Sequence, residues 1–290
     1  MKKLIIIIFL FFEIFIFLNS KTLLIEERNT INNCIYAFLP SMFFSVFISN
    51  YLYLNNFDDI IPKFITNIFK KININKKELG IIILSILSGY PNNIKLLNNS
   101  NNNYLLYSTN FINPIFFIMT FNNVYLKNSK LILIILISHY ISNLIIFLIY
   151  KRKYIYQKEE NINENNSYNK ALNITIKTLS IIFSNLIFIT LLITLIKVIL
   201  KNNNIFKGLL IGLLEFSNGL IYISKLDINN FIKGLLILII ISFSSISIIM
   251  QSISLNNKIK STKFLLNKIL STIISILIYL IINAIIQVMN

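Results

Sequence analysis

The chain has 290 residues, 56% of them apolar and 13% charged, with a mean hydropathy of +0.72 and a formal net charge of +16. That balance excludes an ordinary soluble domain, whose surface helices need a polar face, and points to a lipid bilayer as the partner. Cys34 and His139 are each the only residue of their type, so a disulfide framework and a Cys-based metal site are excluded, a zinc site lacks histidine partners, and no metal or cofactor is expected.

The chain opens on Lys2-Lys3 followed by the apolar run Leu4–Leu18, the form of a signal sequence. The following Asn19-Ser20-Lys21-Thr22 lacks a small-residue cleavage pattern, so residues 1–30 read as an uncleaved signal-anchor span. Glu13 lies inside this span, where a carboxylate is costly, and is expected to face protein or keep its proton. A second span covers Ile31–Leu54. Four basic clusters mark cytoplasmic links by the positive-inside bias: Lys2-Lys3; Lys63 through Lys77; Lys151-Arg152-Lys153 with Lys158; and Lys258, Lys260, Lys263 and Lys268. Positive charge confined to such links also argues against nucleic-acid binding. The link Lys21–Asn33 is charge-balanced and suits the outer side.

Leu79–Leu97, Tyr104–Leu126 and Leu131–Tyr150 cannot all cross, because Lys151 would then land outside. The segment that fails to cross is Leu79–Asn103. Its centre, Ser88-Gly89-Tyr90-Pro91-Asn92-Asn93, stops a helix after only about ten apolar residues, enough for a half-span. Leu79–Ser88 is expected to enter, Gly89–Asn92 to form the tip and Asn93–Asn103 to return. Tyr104–Leu126 then crosses with an interruption at Asn113-Pro114, and Leu131–Tyr150 returns.

The second half follows the same rule. Asn173–Leu200 crosses, and Ile205–Asp227 carries another broken run, Gly212-Leu213-Leu214-Glu215-Phe216-Ser217-Asn218-Gly219. If that run is a hairpin, Phe231–Met250 returns and Phe264–Val288 runs out. The expected fold is an all-α polytopic membrane protein of the transporter-like kind, with about seven transmembrane helices and two re-entrant hairpins. Residues 31–153 and 171–290 form two repeats of inverted topology around a polar cytoplasmic linker at 154–170. In a cell membrane this puts the N-terminus in the cytoplasm and the C-terminus outside. Short interrupted segments at matching places in two halves point to a transporter's binding site.

The candidate ligand-binding residues therefore cluster at the tips: Tyr90, Asn92, Asn93 and Lys95 on the first, and Glu215, Ser217 and Asn218 on the second. Glu215 leads, because an ionisable group inside the membrane is expensive to keep. Its bland alternative is a place at the hairpin mouth, meeting Lys225 or water. Lys95 would pair with Glu215 or an anion, or snorkel to the interface. Asn110 and Asn113 with Pro114 break a span, freeing carbonyls for a polar ligand or cation, or simply making a kink. His139 and Gln251 are secondary polar groups within the membrane, suited to bridging helices. No P-loop, H-E-x-x-H or G-x-S-x-G motif occurs, so no enzyme activity is expected. The expected partners are the bilayer and a small polar solute or coupling ion; a homo-oligomer is compatible with this pattern.

The ordered motifs also carry a resemblance. Leu39-Pro40-Ser41-Met42-Phe43-Phe44 resembles the second span of the YlbJ-like sporulation integral membrane proteins, part of a wider group with the nucleoside-recognition or Gate domain. Ser88-Gly89-Tyr90-Pro91 through Lys95 is similar to their SGYP-x-GAK signature, and Asn110–Phe117 to their CNxxxPLF-type stretch. His139-Tyr140 resembles a histidine-tyrosine pair of the following span. Gly212–Gly219 resembles their GLLE-[IV]-T-x-G, and Ser242-Phe243 through Gln251 their SFGGLSVHMQ segment. Asn93-Ile94 and Ser244-Ser245 depart from Gly-Ala and Gly-Gly, and Ile249 replaces a His. The resemblance implies a role in endospore formation, with a transporter-like fold and a nucleoside-like solute. The rival expectation is a non-transporting scaffold for spore envelope assembly.

Overall fold

A computed structural model describes residues 2–97, 102–153 and 166–289; the expected linker falls largely outside this range, as does part of the first hairpin's return. Every regular element among the described residues is helical. Among the described residues, five helical stretches are long and apolar enough to cross a bilayer: Ser20–Leu54, Ser129–Lys153, Ser167–Ile199, Asn230–Leu255 and Ser261–Val288.

The chain starts with α1 (Lys2–Leu18) and α2 (Ser20–Asn33), which runs through wide π-type turns at Cys34–Phe38 into α3 (Leu39–Leu54). Pro40 explains the widening: it has no N–H for the Tyr36 carbonyl and its ring crowds that turn. A short 3-10 turn at Phe57–Ile60 and α4 (Lys63–Lys70) lead to α5 (Lys76–Ser88), which starts at a capping box. There Asn75 Oδ1 accepts from the Glu78 N–H at 2.8 Å, and Glu78 accepts from the Asn75 N–H at 2.9 Å. α5 stops at Gly89, where the chain adopts φ +70° before a cis Tyr90–Pro91 bond, and resumes as α6 (Asn92–Leu96).

The next predicted span is not continuous. It is α7 (Asn103–Ser108), an unwound stretch over residues 109–113, and a π-type helix at Phe116–Leu126. α8 (Ser129–Lys153) is continuous and divides its faces by spacing: Ile135, His139, Ser142 and Ile146 point inward, while Leu133, Ile137, Ile141 and Ile145 are exposed at every fourth residue. An apolar outward stripe on a helix already packed on its other side is what lipid, rather than water, accommodates.

The second half begins with α9 (Ser167–Ile199), whose start lies inside the expected linker. α10 (Ile205–Leu214) and α11 (Phe216–Ser224) meet at Glu215 as a tight hairpin. They approach so closely that a Cβ on Gly219 would fall on the backbone of Gly212. α12 (Asn230–Phe243) and α13 (Ser245–Leu255) follow, and α14 (Ser261–Met289) closes the chain. Phe231–Met250, read as one unbroken span, in fact breaks at Ser244 and Ser245, whose φ angles are +68° and +59°.

Two long antiparallel pairings hold the halves together. α9 runs against α2 and α3, with Lys197 on Glu26 at 2.6 Å, Thr190 on Thr30 at 3.1 Å, and Asn50 on Thr175 at 3.1 Å. α14 runs against α8, with the Lys263 ammonium 5.5 Å from the Tyr150 ring and Ser271 3.5 Å from Ser142. Each half therefore contains a long first element, a broken short pair, an interrupted third element and a long last one. α1 is the least covered helix: Phe9, Leu10, Ile14 and Phe17 are exposed, and so is Glu13, which leaves of its two expected fates only the retained proton.

Candidate functional site

The first tip is a strand of backbone released by Gly89 and held by neighbours. The Tyr90 N–H donates to the Phe111 carbonyl at 2.8 Å, and its hydroxyl donates to the Ile241 carbonyl at 3.3 Å. Its ring packs edge-on against Phe216, 5.6 Å between centroids. One residue thus touches the unwound stretch of the first half, the interrupted helix of the second, and the second tip.

Asn113 braces this tip. Its amide nitrogen is within hydrogen-bond distance of Ser45 Oγ (2.7 Å) and of the Ser88 and Leu87 carbonyls (3.1 and 3.2 Å), while its Oδ1 accepts from the Phe116 N–H at 3.0 Å. It thereby satisfies carbonyls that α5 leaves open and an N–H that the next helix leaves open. Asn92 donates to Asn50 at 3.3 Å. Asn93 donates to the Thr109 carbonyl at 2.8 Å and to Asn110 Oδ1 at 3.3 Å. Asn110 turns its own amide back to the Tyr107 carbonyl at 3.2 Å.

The second tip is braced by its own carboxylate. Glu215 is the N-cap of α11: one oxygen accepts from the Ser217 N–H at 3.1 Å, the other from Ser217 Oγ at 2.6 Å and the Asn218 N–H at 2.7 Å. Negative charge at a helix N-terminus is favoured by the aligned peptide dipoles.

A small cavity of about 20 Å³ lies where the tips meet, bounded by Tyr90, Glu215, Ser217 and Gln251 with apolar walls that include Phe38 and Phe116. That is room for about one water molecule. Gln251 donates to Ser247 Oγ at 3.0 Å, while its buried carbonyl oxygen has no partner among the described residues.

Of the residues singled out from sequence, four therefore converge: Tyr90, Glu215, Ser217 and Gln251. Asn92, Asn93, Asn110 and Asn113 stand behind the first tip and hold its backbone. Lys95 is half-buried and makes no ion pair with Glu215. Asn218 gives its backbone N–H to Glu215 but lines a second, larger cavity that runs along α11. His139 is fully buried and accepts from the Ile112 N–H through Nε2 at 3.2 Å. That acceptance assigns the ring proton to Nδ1, which faces Ser242 Oγ at 3.1 Å. The imidazole thus ties the unwound stretch of one half to the interrupted helix of the other.

Three further charged residues, Lys268, Glu78 and Lys207, are buried and are not among the candidates read from the sequence. The sequence places Lys268 in a cytoplasmic basic cluster, but it is only 1% exposed. Its ammonium donates to Ser244 Oγ at 2.7 Å and lies 5.2 Å from the Tyr90 ring centroid. Its position about two turns inside α14, past the last polar residues of the link, was the available signal. Glu78, also fully buried, meets the Tyr104 hydroxyl and the Lys151 ammonium at the base of α5. Its signal was the Asn75-x-x-Glu78 capping box.

The arrangement can hold a proton or a small hydrogen-bonding group between two interrupted backbones. Among the described residues no cluster of metal-ligating side chains occurs. Compared with family models, curated proteins and solved structures, the chain matches none.

Proposed function

We propose that this chain is a sporulation-associated integral membrane protein of the YlbJ-like kind, which transports or senses a small polar solute, nucleoside-like in class, where two re-entrant tips meet. The observation that carries it is the convergence of Tyr90, Glu215, Ser217 and Gln251 between the tips, around a cavity that holds about one water in this conformation and must widen to admit the solute. Interrupted backbone at membrane depth is tolerated where it is buried or lines a cavity, and transporters place their sites there.

The antiparallel pairing of α2–α3 with α9, and of α8 with α14, supports two repeats of inverted topology. In such a repeat the first elements of the halves pair with each other and so do the last. About seven full crossings follow if α1 and the interrupted stretch from Tyr104 to Leu126 are counted with the five long helices. The charge rule then puts the N-terminus in the cytoplasm and the C-terminus outside. Ser244-Ser245, which stand where the resembled motif has Gly-Gly, adopt the left-handed backbone that glycine favours.

The test is uptake of a panel of labelled nucleosides and other small polar solutes into proteoliposomes. Wild-type protein should accumulate at least one solute, and Glu215→Gln, checked for folding, should lose most of that uptake. No uptake of any member, together with normal spore formation by Glu215→Gln in a deletion strain, would overturn the reading and favour the scaffold.

A further inference from the structure

Helix α4 carries more apolar surface than the fold covers. By helical spacing Lys63, Thr66, Asn67 and Lys70 share one side of it, and Phe64, Ile65, Ile68 and Phe69 share the other. Ile65 and Phe69 pack on the core cluster that includes Leu79 and Ile82. Phe64 and Ile68 are instead 68% and 60% exposed, and Ile60 and Ile72 continue the same four-residue spacing at 67% and 49%. Lys63, Lys70 and Lys71 are exposed as well and make no ion pair among the described residues. An uncovered apolar arc with basic residues on the polar side is the form of a helix lying in the plane of a membrane surface.

The last member of this stripe opens onto a cavity of about 330 Å³, lined by Ile72, Asn73, Leu148, Lys151 and Arg152. The lining carries two positive charges and no acid. Lys151 is matched by the buried Glu78. Arg152 is exposed and has no partner among the described residues, so one positive charge is left over. Arg152 also stands three residues beyond Ile149, at the end of the exposed stripe Ile141, Ile145 and Ile149 on α8. A lipid whose chains lie on that stripe has its headgroup at this cavity.

We propose that this corner is a binding site for an anionic phospholipid, with its phosphodiester on Arg152 and Asn73, its chains along α8, and α4 resting on the leaflet beside it. The guanidinium fork matches the paired oxygens of a phosphodiester. One surplus positive charge suits a lipid with one net negative charge. A second copy docked on the α4 stripe would bring two sets of unpaired lysines together, whereas an anionic leaflet supplies their counter-charge. The site lies away from the tips and does not depend on transport.

The test places the full chain in nanodiscs of mixed dioleoyl phosphatidylglycerol and dioleoyl phosphatidylcholine, then counts retained lipid by native mass spectrometry after release into detergent. Wild-type protein should retain phosphatidylglycerol in preference. Arg152→Gln changes an exposed, unpartnered side chain, so it should fold and should cut that preference about fivefold, the weight of one basic residue at a charged membrane surface. Lys201→Gln, at an exposed lysine just past the end of α9, removes the same charge and should leave the preference intact. Amide hydrogen exchange over residues 63–72 should be slower in discs containing phosphatidylglycerol than in phosphatidylcholine alone, and Phe64→Ser with Ile68→Ser should erase that difference. The proposal is overturned if wild type retains both lipids equally, if Lys201→Gln acts as strongly as Arg152→Gln, or if exchange over 63–72 ignores the lipid. Displacement of the lipid by excess glycerol 3-phosphate would assign the cavity to a free phosphate instead. A lipid-free dimer that Phe64→Ser with Ile68→Ser dissociates would give the stripe to a second copy, and either result sinks the lipid site.

Discussion

The two interrupted hairpins solve the same problem with different chemistry. Both must stop a helix in an apolar interior and satisfy the backbone groups set free there. The first does so with neutral amides brought from elsewhere: Asn113 takes the freed carbonyls of α5, and Asn93 reaches the unwound Thr109. The second is self-contained, because Glu215 caps the helix it starts and the glycine pair Gly212 and Gly219 lets the two arms touch. A tip built from distant braces depends on the packing of the whole first half. A tip built on one carboxylate depends on that carboxylate alone. The first is therefore the more fragile to backbone change, and the second to a single side-chain change.

The largest effect should come from Gly89→Ala. The φ of +70° is one that alanine rarely adopts, and its methyl would stand 2.5 Å from the Asn113 nitrogen and 2.7 Å from its Cβ. Strain and displaced brace together predict a loss of about 3 kcal/mol or more, read as failure to recover monodisperse protein in detergent. A well-behaved Gly89→Ala protein would mean that the first tip is not fixed by Asn113. Next is Glu215→Ala, which leaves two buried N–H groups and the Ser217 hydroxyl without their acceptor, for about 2–4 kcal/mol. Glu215→Gln keeps one acceptor oxygen and should lose less, so thermal unfolding in detergent should rank wild type above Gln above Ala. Equal stability of the Ala variant would remove the cap from the account of the second tip.

His139→Leu tests the tie between the halves. It removes the acceptor of the buried Ile112 N–H and the partner of Ser242, a loss of about 1–3 kcal/mol. Amide hydrogen exchange should rise first at 109–113, the unwound stretch, and less at the second tip. A uniform rise would instead mean that the imidazole acts as general packing.

Much of this was legible in the sequence, because helix breakers act locally. Gly89 with Pro91, and Asn113 with Pro114, locate interruptions by chemistry that context does not override. The break at Ser244-Ser245 was not legible from composition: serine in a long apolar run gives no stop signal, and its left-handed backbone is imposed by packing. The burial of Lys268 was missed for a related reason. Charge bookkeeping assigns a lysine to a link by its neighbours in sequence, and Lys258, Lys260 and Lys263 stood close before it. Which polar residues would meet was only half readable. Spacing puts Glu215 and Ser217 at one tip and Tyr90 at the other, but Asn92 and Asn93 are turned away from the cavity by Asn50 on α3 and by Thr109 and Asn110 in the unwound stretch.

The smallest expected effect sits at the base of the first hairpin, where Asp58 packs its Cβ against Gly80 of α5, within 3.1 Å of where a methyl there would stand. Partial burial, and then the charge of Asp59 beside it, raise the Asp58 carboxyl above its ordinary value, against the opposing pull of Lys77 and Lys76. A carboxyl whose value is higher in the folded than in the unfolded chain favours folding most when protonated. Its contribution is fully present below the unfolded value of about 4 and is lost as pH rises through the folded value. Asp58→Asn removes the charge without changing the shape, so it should match wild type in acid and exceed it slightly at neutral pH. The gain should be about 0.5 kcal/mol or less, as for most surface substitutions. The root of the second hairpin supplies the control, since Asn204 caps α10 there with a neutral amide, accepting from the Lys207 N–H at 2.8 Å. A gap between Asp58→Asn and wild type that stays constant from about pH 4 to pH 7 would show that burial of Asp58 does not strain this root.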